Sequence, residues 1–295
     1  MRVAVTGASG LIGSALVPVL REAKHEVLSL VRRTPTHADE AQWDPAAGTI
    51  DVDALQGVDA IVHLAGENIG QRWTETSRRR ILDSRVQGTR LVAETAAALD
   101  PQPALLAASA MGFYGQQGDQ EFTESSPRGQ GFLADVVDAW EQAAEVAREA
   151  GVRVVQFRQG LVLSKDGGAL GRMLLPFRLG VGGRIGGGRQ WWSWVAIDDL
   201  AAAYLFALER PLDGLYNLAA PGVVRNADFV DALGNVLSRP TIFPLPGFAV
   251  RLAFGEMGEE MLLGGQRIDS ERLRGEGFEF AYPELEGALE HVLGS

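Results

Sequence analysis

A glycine-spaced turn near the amino terminus constrains this chain more than any other feature. Gly7, Gly10 and Gly13 follow an apolar run of strand length, residues 3–6, and lead into a helical pattern over residues 11–23. Such spacing makes a tight turn, lets backbone amides reach a pyrophosphate, and lets the helix lie close to the strand. The helix N-terminus adds positive partial charge. The segment predicts a dinucleotide site, with an ordinary tight turn as the alternative. The predicted contacts are Thr6, Gly7, Ser9, Gly10, Leu11, Ile12 and Gly13.

The residues after the second predicted strand, residues 27–31, distinguish between the two common dinucleotides. Sites for NAD carry an acid about 20 residues beyond the glycines, where it holds the ribose 2′-hydroxyl. This chain has Arg32 and Arg33 there instead. Guanidinium groups pair with a 2′-phosphate, which a carboxylate would repel. The sequence therefore predicts NADP(H) as the cofactor; the alternative is that both arginines only solvate a loop.

Apolar runs of strand length alternate with longer helical patterns, which is typical of βαβ units and a parallel sheet. The chain then changes character at Arg239-Pro240, beyond which Pro244 and Pro246 precede short helical patterns. We expect an α/β fold: a Rossmann-type doubly wound parallel sheet over residues 1–239 and a small, mainly helical C-terminal domain over residues 240–295. The predicted strands are residues 3–6, 27–31, 60–64, 104–108 and 152–157, and the predicted helices are 11–23, 74–99, 132–150, 198–208 and 227–237.

Composition excludes several classes of function. The net charge of −11 argues against a nucleic-acid partner and equally against a membrane surface. No cysteine is present, which excludes disulfides, Cys-ligated metals and cysteine nucleophiles. The four histidines are isolated, so no metal site is expected. No targeting segment or membrane span is recognisable. We expect a cytoplasmic protein with a small-molecule substrate, as a monomer or a homodimer.

Further motifs carry a resemblance to a known family. They comprise residues 6–13, with TGxxGxxG spacing, and residues 63–66, 86–89 and 194–200; residues 64–69, 72–73, 83–85, 157–160, 188–191 and 255–257 narrow it to a subgroup. The chain resembles the atypical extended short-chain dehydrogenase/reductases of the NAD-dependent epimerase/dehydratase superfamily, in the epimerase-like subgroup with a C-terminal domain of unknown function. The resemblance implies a Rossmann fold, a bound NAD(P) and an oxidoreductase or epimerase activity. It adds Leu64, Ala65, Gly66, Glu67 and Arg85 to the predicted cofactor contacts.

The chain departs from this family at the acid-base residues. Catalytic members use a Ser or Thr together with Tyr-x-x-x-Lys, in which the lysine and the cofactor lower the tyrosine pKa toward working pH. Phe132 and Val136 stand at the Tyr and Lys positions, and neither transfers a proton. The serine position falls on Ala110, one residue after Ser109. The resemblance therefore implies the cofactor site without the usual catalytic set.

Three residues are candidates for catalysis in place of that set. Tyr114 follows a predicted strand at the sheet edge where ligands bind, although a packed loop tyrosine is the alternative. Ser109 is a candidate hydrogen-bond donor. Arg85 is expected to approach the same edge from the next helix and to bind an anionic substrate group or a cofactor phosphate, unless it forms a structural salt bridge with an acid such as Asp83.

Two functions from different classes fit these observations. The first is an NADP(H)-dependent oxidoreductase or epimerase-like enzyme that acts on a small polar substrate by an atypical acid-base set. An anionic substrate is compatible with this function. The second is a non-catalytic NADP-binding sensor or partner-binding protein. Retention of the glycine turn beside loss of Ser, Tyr and Lys is compatible with both.

A second glycine cluster, residues 180–188, precedes Trp191, Trp192 and Trp194. Its density predicts a mobile loop that brings aromatic residues toward a substrate pocket or toward the interface with the small C-terminal domain. Phe132, Val136 and Trp140 form an i, i+4, i+8 ridge that we expect along the nicotinamide side of the pocket. For the glycine cluster the alternative is a tight loop with aromatic packing of the C-terminal domain, and for the ridge it is ordinary packing in the core of an amphipathic helix.

Overall fold

The computed structural model describes residues 1–116 and 118–294. Its strands are β1 (Arg2–Thr6), β2 (Glu26–Val31), β3 (Glu40–Asp44), β4 (Thr49–Ile50), β5 (Ala60–His63), β6 (Ala104–Ala110), β7 (Glu121–Phe122), β8 (Val154–Gln159), β9 (Leu161–Leu163), β10 (Trp191–Trp192), β11 (Trp194–Ala196), β12 (Gly214–Leu218), β13 (Val224–Arg225) and β14 (Arg267–Ile268). Its α-helices are α1 (Leu11–Glu22), α2 (Glu75–Ala98), α3 (Phe132–Gln142), α4 (Glu145–Glu149), α5 (Gly168–Arg178), α6 (Ile197–Glu209), α7 (Asn226–Leu237), α8 (Gly247–Phe254), α9 (Glu256–Gly258), α10 (Glu271–Gly275) and α11 (Leu285–Leu293).

The main sheet has the order β12-β8-β6-β5-β1-β2-β3-β4, and every pairing except that of β3 with β4 is parallel. The chain builds outward from β1 through β2 and β3 on one side, then crosses to β5 and continues outward on the other. A crevice forms where the strand order reverses, at the carboxyl ends of the strands beside β1. The predicted Rossmann-type doubly wound sheet is confirmed.

Alternate residues of the central strand bind the two helical layers to the sheet. Val3 and Val5 pack with Leu16 of α1 and Leu200 of α6. Ala4 faces the opposite layer, where Val92 of α2 lies. This alternation is the two-residue period of a strand. The packing of α1 on β1 places the N-terminus of α1 at the edge of the crevice.

Several elements differ from the sequence prediction. The predicted helix over residues 132–150 is interrupted between α3 and α4, where Ala144 N bonds to Glu141 O in a tighter, three-residue turn. No glycine or proline marks this interruption. Strands β3 and β12 lie toward the two edges of the sheet and carry polar residues, such as Gln42 and Asn217, that weaken a strand pattern.

The chain beyond residue 240 packs against elements that precede it. Leu285 and Leu289 of α11 share a hydrophobic cluster with Leu174 of α5 and with Phe229 of α7. Strand β14 pairs in parallel with β7. The C-terminal helical region therefore shares a core with residues before the predicted 239/240 boundary. Within residues 1–116 and 118–294, every helix is too short or too polar to cross a bilayer.

Candidate functional site

The glycine turn between β1 and α1 is shaped for close approach. Gly7 has a φ of +69°, and a Cβ built there would lie 3.0 Å from Ala65 N. A Cβ on Gly13 would lie 2.6 Å from Ala8 Cα and would collide with the Gly7 carbonyl oxygen. Gly10 precedes α1 and offers no side-chain cap, so the first amides of the helix point into the crevice. The turn can therefore receive a phosphate group at the helix N-terminus.

Thr6 joins the ends of β1 and β5 beneath this turn. Its buried hydroxyl accepts hydrogen bonds from Leu64 N at 3.1 Å and Ala65 N at 3.3 Å, and lies 2.8 Å from His63 Nδ1. These three partners use the full hydrogen-bonding capacity of a hydroxyl. Thr6 thus fixes the position of Leu64 and Ala65, which were predicted to contact the cofactor.

The two arginines after β2 have different surroundings. Arg33 donates to both carboxylate oxygens of Glu40, at 2.8 and 2.5 Å, and to Thr36 Oγ1 at 3.1 Å. The hydrogen bond from Arg33, together with backbone amides, lowers the pKa of Glu40 to about 2. Arg32 is exposed and has no side-chain hydrogen bond or ion pair with the described residues. The structure therefore distinguishes two arginines that the sequence treated alike: Arg33 is bound to Glu40, and Arg32 is free to bind a ligand.

Arg85 of α2 supports the loop that follows β5. Its Nη1 donates to Glu67 O at 3.0 Å and to Ile81 O at 3.2 Å, and its guanidinium lies 5.0 Å from the centre of the Trp140 ring. A Cβ on Gly66 would approach Arg85 Cζ to 3.3 Å. Burial lowers the pKa of Arg85 to about 10, which leaves it cationic at neutral pH. Arg85 thus approaches the predicted sheet edge, where it donates to the Glu67 carbonyl, and its other hydrogen bond goes to Ile81 O within α2.

Ser109 and Tyr114 belong to a buried polar network that also includes Glu141 of α3, Arg158 of β8 and Asn217 of β12. Ser109 Oγ donates to Glu141 Oε1 at 2.5 Å, and Arg158 donates to Glu141 and, at 3.0 Å, to the Tyr114 hydroxyl. Tyr114 itself donates to Asn217 Oδ1 at 2.6 Å. Burial raises the pKa of the Tyr114 hydroxyl, which makes it a weaker acid than an ordinary tyrosine. This geometry favours a supporting role for both side chains over contact with a substrate.

The apolar ridge of α3 faces α2 rather than open space. Phe132 packs its ring 4.9 Å from that of Trp73, and Val136 packs against Ile81. Trp140 lies below Arg85. These contacts support the alternative, that Phe132, Val136 and Trp140 are ordinary core residues of an amphipathic helix.

Sequence reasoning missed Glu260, which caps α3 from the C-terminal region. Its carboxylate accepts hydrogen bonds from Phe132 N at 2.9 Å and Leu133 N at 3.0 Å, at a helix whose preceding residue, Gly131, has no side chain to cap it. The two partners lie 128 residues apart. A capping acid this distant leaves no local sequence signal.

The second glycine cluster is packed rather than open. Gly183 forms a β-bridge with Ile242, and Gly186 N bonds to Leu245 O at 2.8 Å. Trp192 packs 4.9 Å from Phe229, and Trp194 Nε1 donates to Gly222 O at 2.7 Å. The glycine loop is thus a tight loop held to the C-terminal region, whereas the rings of Trp192 and Trp194 contact Phe229 and Gly222, which precede that region.

Comparison with known proteins assigns the chain to a family. Residues 3–219 match the model of the NAD dependent epimerase/dehydratase family, and residues 245–292 match a domain of unknown function (DUF1731). The chain is 44% identical to the epimerase family protein Mb2239 of Mycobacterium bovis over 97% of this chain and 96% of that protein. It is 39% identical to the human epimerase family protein SDR39U1 over 99% of this chain and all of that protein.

A solved structure extends this similarity to three dimensions. The crystal structure of human SDR39U1, isoform 2, with NADPH superposes with a TM-score of 0.92 at 37% identity, covering all of both chains. The agreement spans the glycine turn, the sheet and the helical C-terminal region. The chain belongs to the NAD dependent epimerase/dehydratase family.

Proposed function

We propose that this protein binds NADP(H) and acts as an oxidoreductase or epimerase-like enzyme on a small polar substrate, without the usual Ser, Tyr and Lys set. The observation that carries the cofactor choice is Arg32, an exposed cation at the end of β2 with no ion pair in the described chain. The human relative solved with NADPH supports the same choice. NADP(H) would supply hydride transfer, which makes no demand on the missing tyrosine itself.

The residues present fit a dinucleotide. Gly7 and Gly13 let the turn pack closely on the residues after β5 and on itself, where a Cβ would collide with the backbone, so Gly10 and the first amides of α1 would hold the pyrophosphate. Arg32 would pair with the 2′-phosphate. The Leu64–Glu67 backbone, fixed by Thr6 and Arg85, would form the adjoining wall.

Arg85 is a positioning residue in this proposal. Its guanidinium holds the carbonyl of Glu67, and Ser84 Oγ accepts the Glu67 N–H at 3.0 Å. The Glu67 side chain in turn accepts from Gln71 Nε2 at 3.1 Å. Fixing both backbone groups of Glu67 keeps an acidic side chain at the edge of the crevice, where it is available to a polar substrate.

Titration of the purified protein with NADPH and with NADH, followed by turnover assays on a panel of carbonyl compounds, tests the proposal. Tighter binding of NADPH and oxidation of NADPH by at least one compound class are expected. Equal affinity for the two cofactors would overturn the cofactor choice.

A non-catalytic NADP-binding sensor is the second candidate function. The enclosure of Ser109 and Tyr114 and the packing of Phe132 and Val136 favour it, because all four side chains are buried among other residues of the protein. NADPH binding without turnover across the panel would select this function over the enzyme.

A further inference from the structure

The large apolar side chains that the fold leaves exposed are concentrated on one part of the molecule. Among the described residues, the exposed large apolar side chains other than Met1 and Val52 lie in two stretches. One is the end of α5 and the residues just after it, and the other leads into and through α8. We call them the 175–254 apolar face: Leu175, Leu179, Val181, Ile242, Phe243, Leu245, Phe248, Leu252 and Phe254.

Backbone contacts bring these two stretches together. Gly183 and Ile185 form β-bridges with Ile242 and Leu245 respectively. Arg239 Nε donates to Arg178 O at 2.9 Å at the end of α5. The two stretches therefore form adjoining parts of one surface.

The face is too large and too prominent to be incidental. It presents on the order of 1,000 Å² of side-chain surface, whereas the largest apolar patch of a typical monomer is about 300–600 Å². Ile242 and Phe248 are each 72% exposed and Leu252 is 79% exposed. Side chains that line a groove are shielded by its walls, so these values describe side chains that project from the surface.

The charge of the two stretches of chain that form this face is opposite in sign to that of the whole protein. Residues 167–197 and 232–255 contain no acidic residue, in a chain whose net charge is −11. They contain six arginines, of which Arg178, Arg184 and Arg239 make no ion pair with the described residues, while Arg251 pairs with Glu259 at 3.5 Å. The charged side chains of the two stretches themselves are therefore all cationic, and the acids that border them include Asp231, which accepts from Thr241 Oγ1 at 3.2 Å, and Glu259, which pairs with Arg251.

This combination selects among the surfaces that could cover the face. A second copy packed by two-fold symmetry would set the arginine-bearing face against itself, and like charges across an interface are unfavourable. An anionic lipid surface offers both acyl chains for projecting apolar groups and phosphates for arginines. We propose that the 175–254 apolar face docks on an anionic membrane surface, with Phe248 and Leu252 among the acyl chains and Arg178 and Arg184 beside lipid phosphates.

Co-sedimentation of the full chain with vesicles tests this proposal. Vesicles of phosphatidylcholine mixed with phosphatidylglycerol should bind the protein, whereas vesicles of phosphatidylcholine alone should bind it at least about tenfold less. The double variant Phe248→Ser and Leu252→Ser should lose at least about tenfold in vesicle affinity, because two large side chains no longer enter the acyl region. Val52→Ser, which removes an exposed apolar side chain elsewhere, should bind as the unchanged protein does.

A charge variant and an oligomer measurement complete the test. Arg178→Glu with Arg184→Glu should weaken binding to the mixed vesicles and leave the circular dichroism spectrum unchanged. Absence of binding to the mixed vesicles, or equal binding by the Phe248/Leu252 and Val52 variants, would overturn the proposal. Sedimentation velocity identifies the competing occupant: a dimer that the Phe248/Leu252 variant converts to monomer, without vesicle binding, would assign the face to a second copy and also overturn it.

Discussion

Glu141 and Arg158 face each other inside the protein through two parallel hydrogen bonds, from Nε to Oε1 at 2.8 Å and from Nη2 to Oε2 at 2.7 Å. Their side chains are 9% and 4% exposed respectively. Replacing Glu141 by Ala should lower the free energy of unfolding by about 3–5 kcal/mol, because a buried guanidinium loses its counter-charge. Urea unfolding measures this loss.

Glu145→Ala is the matched control, because Glu145 pairs with Arg148 at a partly exposed site. This substitution should lower the free energy of unfolding by about 1 kcal/mol or less. Similar losses for the two variants would contradict the assigned role.

Tyr114 offers a test that separates support from chemistry. Tyr114→Phe preserves the ring stacked on Phe122 and removes the hydroxyl between Arg158 and Asn217. We expect the free energy of unfolding to fall by about 1–3 kcal/mol, because buried polar groups lose a partner. The dissociation constant for NADPH should not change. A variant with full stability and no turnover would instead return Tyr114 to the catalytic candidates.

Gly13→Ala tests the shape of the dinucleotide turn. The added methyl group would collide with the Gly7 carbonyl oxygen and lie 2.6 Å from Ala8 Cα, so the turn must open. NADPH binding, followed by fluorescence, should weaken by about tenfold or more. Gly187→Ala is the matched control, because a Cβ there meets no atom within 4 Å. Unchanged binding by Gly13→Ala would argue against the turn as the phosphate site.

Arg32→Ala and Arg33→Ala should differ in their effect on cofactor choice. Loss of Arg32 should weaken NADPH binding by about tenfold or more and leave NADH binding unchanged, because only NADPH has the 2′-phosphate. Loss of Arg33 should have the smaller effect, since its guanidinium is engaged by Glu40. Arg79, which is 73% exposed on α2, supplies the control substitution. A larger effect from Arg33 than from Arg32 would reverse the assignment.

His63 should make stability depend on pH. Burial, with a smaller contribution from Arg85, lowers the pKa of His63 to about 4. A histidine in the unfolded chain titrates near pH 6.5, so between about pH 6.5 and 4 only the unfolded state gains the proton. The free energy of unfolding should therefore fall by up to about 3 kcal/mol as pH drops through this range, with no contribution above it.

His63→Gln checks this prediction, with His37→Gln as the control. Unfolding of each variant is followed by urea titration at several pH values. The fall in stability below pH 6.5 should shrink in the first variant and persist in the second, because His37 is exposed. Equal pH dependence in both variants would show that His63 keeps an ordinary pKa.

Local patterns predicted the parts of this protein that local forces determine. The contacts of Gly10 and Gly13 lie within the turn itself, and the glycine spacing predicted that turn as the structure has it. The alternation of apolar runs and helical patterns predicted the doubly wound sheet, which the structure confirms. Edge strand β12 was not predicted, because its polar residues interrupt the apolar pattern of a strand. One of them, Asn217, accepts a hydrogen bond from the Tyr114 hydroxyl.

Side-chain environment was beyond the reach of sequence. Tyr114 follows a strand on the ligand-binding edge, and that placement predicted contact with a substrate, whereas Ser109 was a candidate because it lies next to the family's serine position. Their partners Glu141, Arg158 and Asn217 come from three later elements, and only the folded chain shows that these enclose both hydroxyls. The sequence did not distinguish Arg32 from Arg33. The structure does, because Glu40 on the neighbouring strand accepts hydrogen bonds from Arg33.

The cap that Glu260 places on α3 also bears on synthesis. Because Phe132 and Leu133 precede their acceptor by more than a hundred residues, the ribosome releases α3 long before it makes the carboxylate that completes it. During that interval the start of α3 has two unsatisfied amides and depends on water. Truncation before residue 260 would leave the helix in that nascent state, so a residue translated much later completes the start of α3.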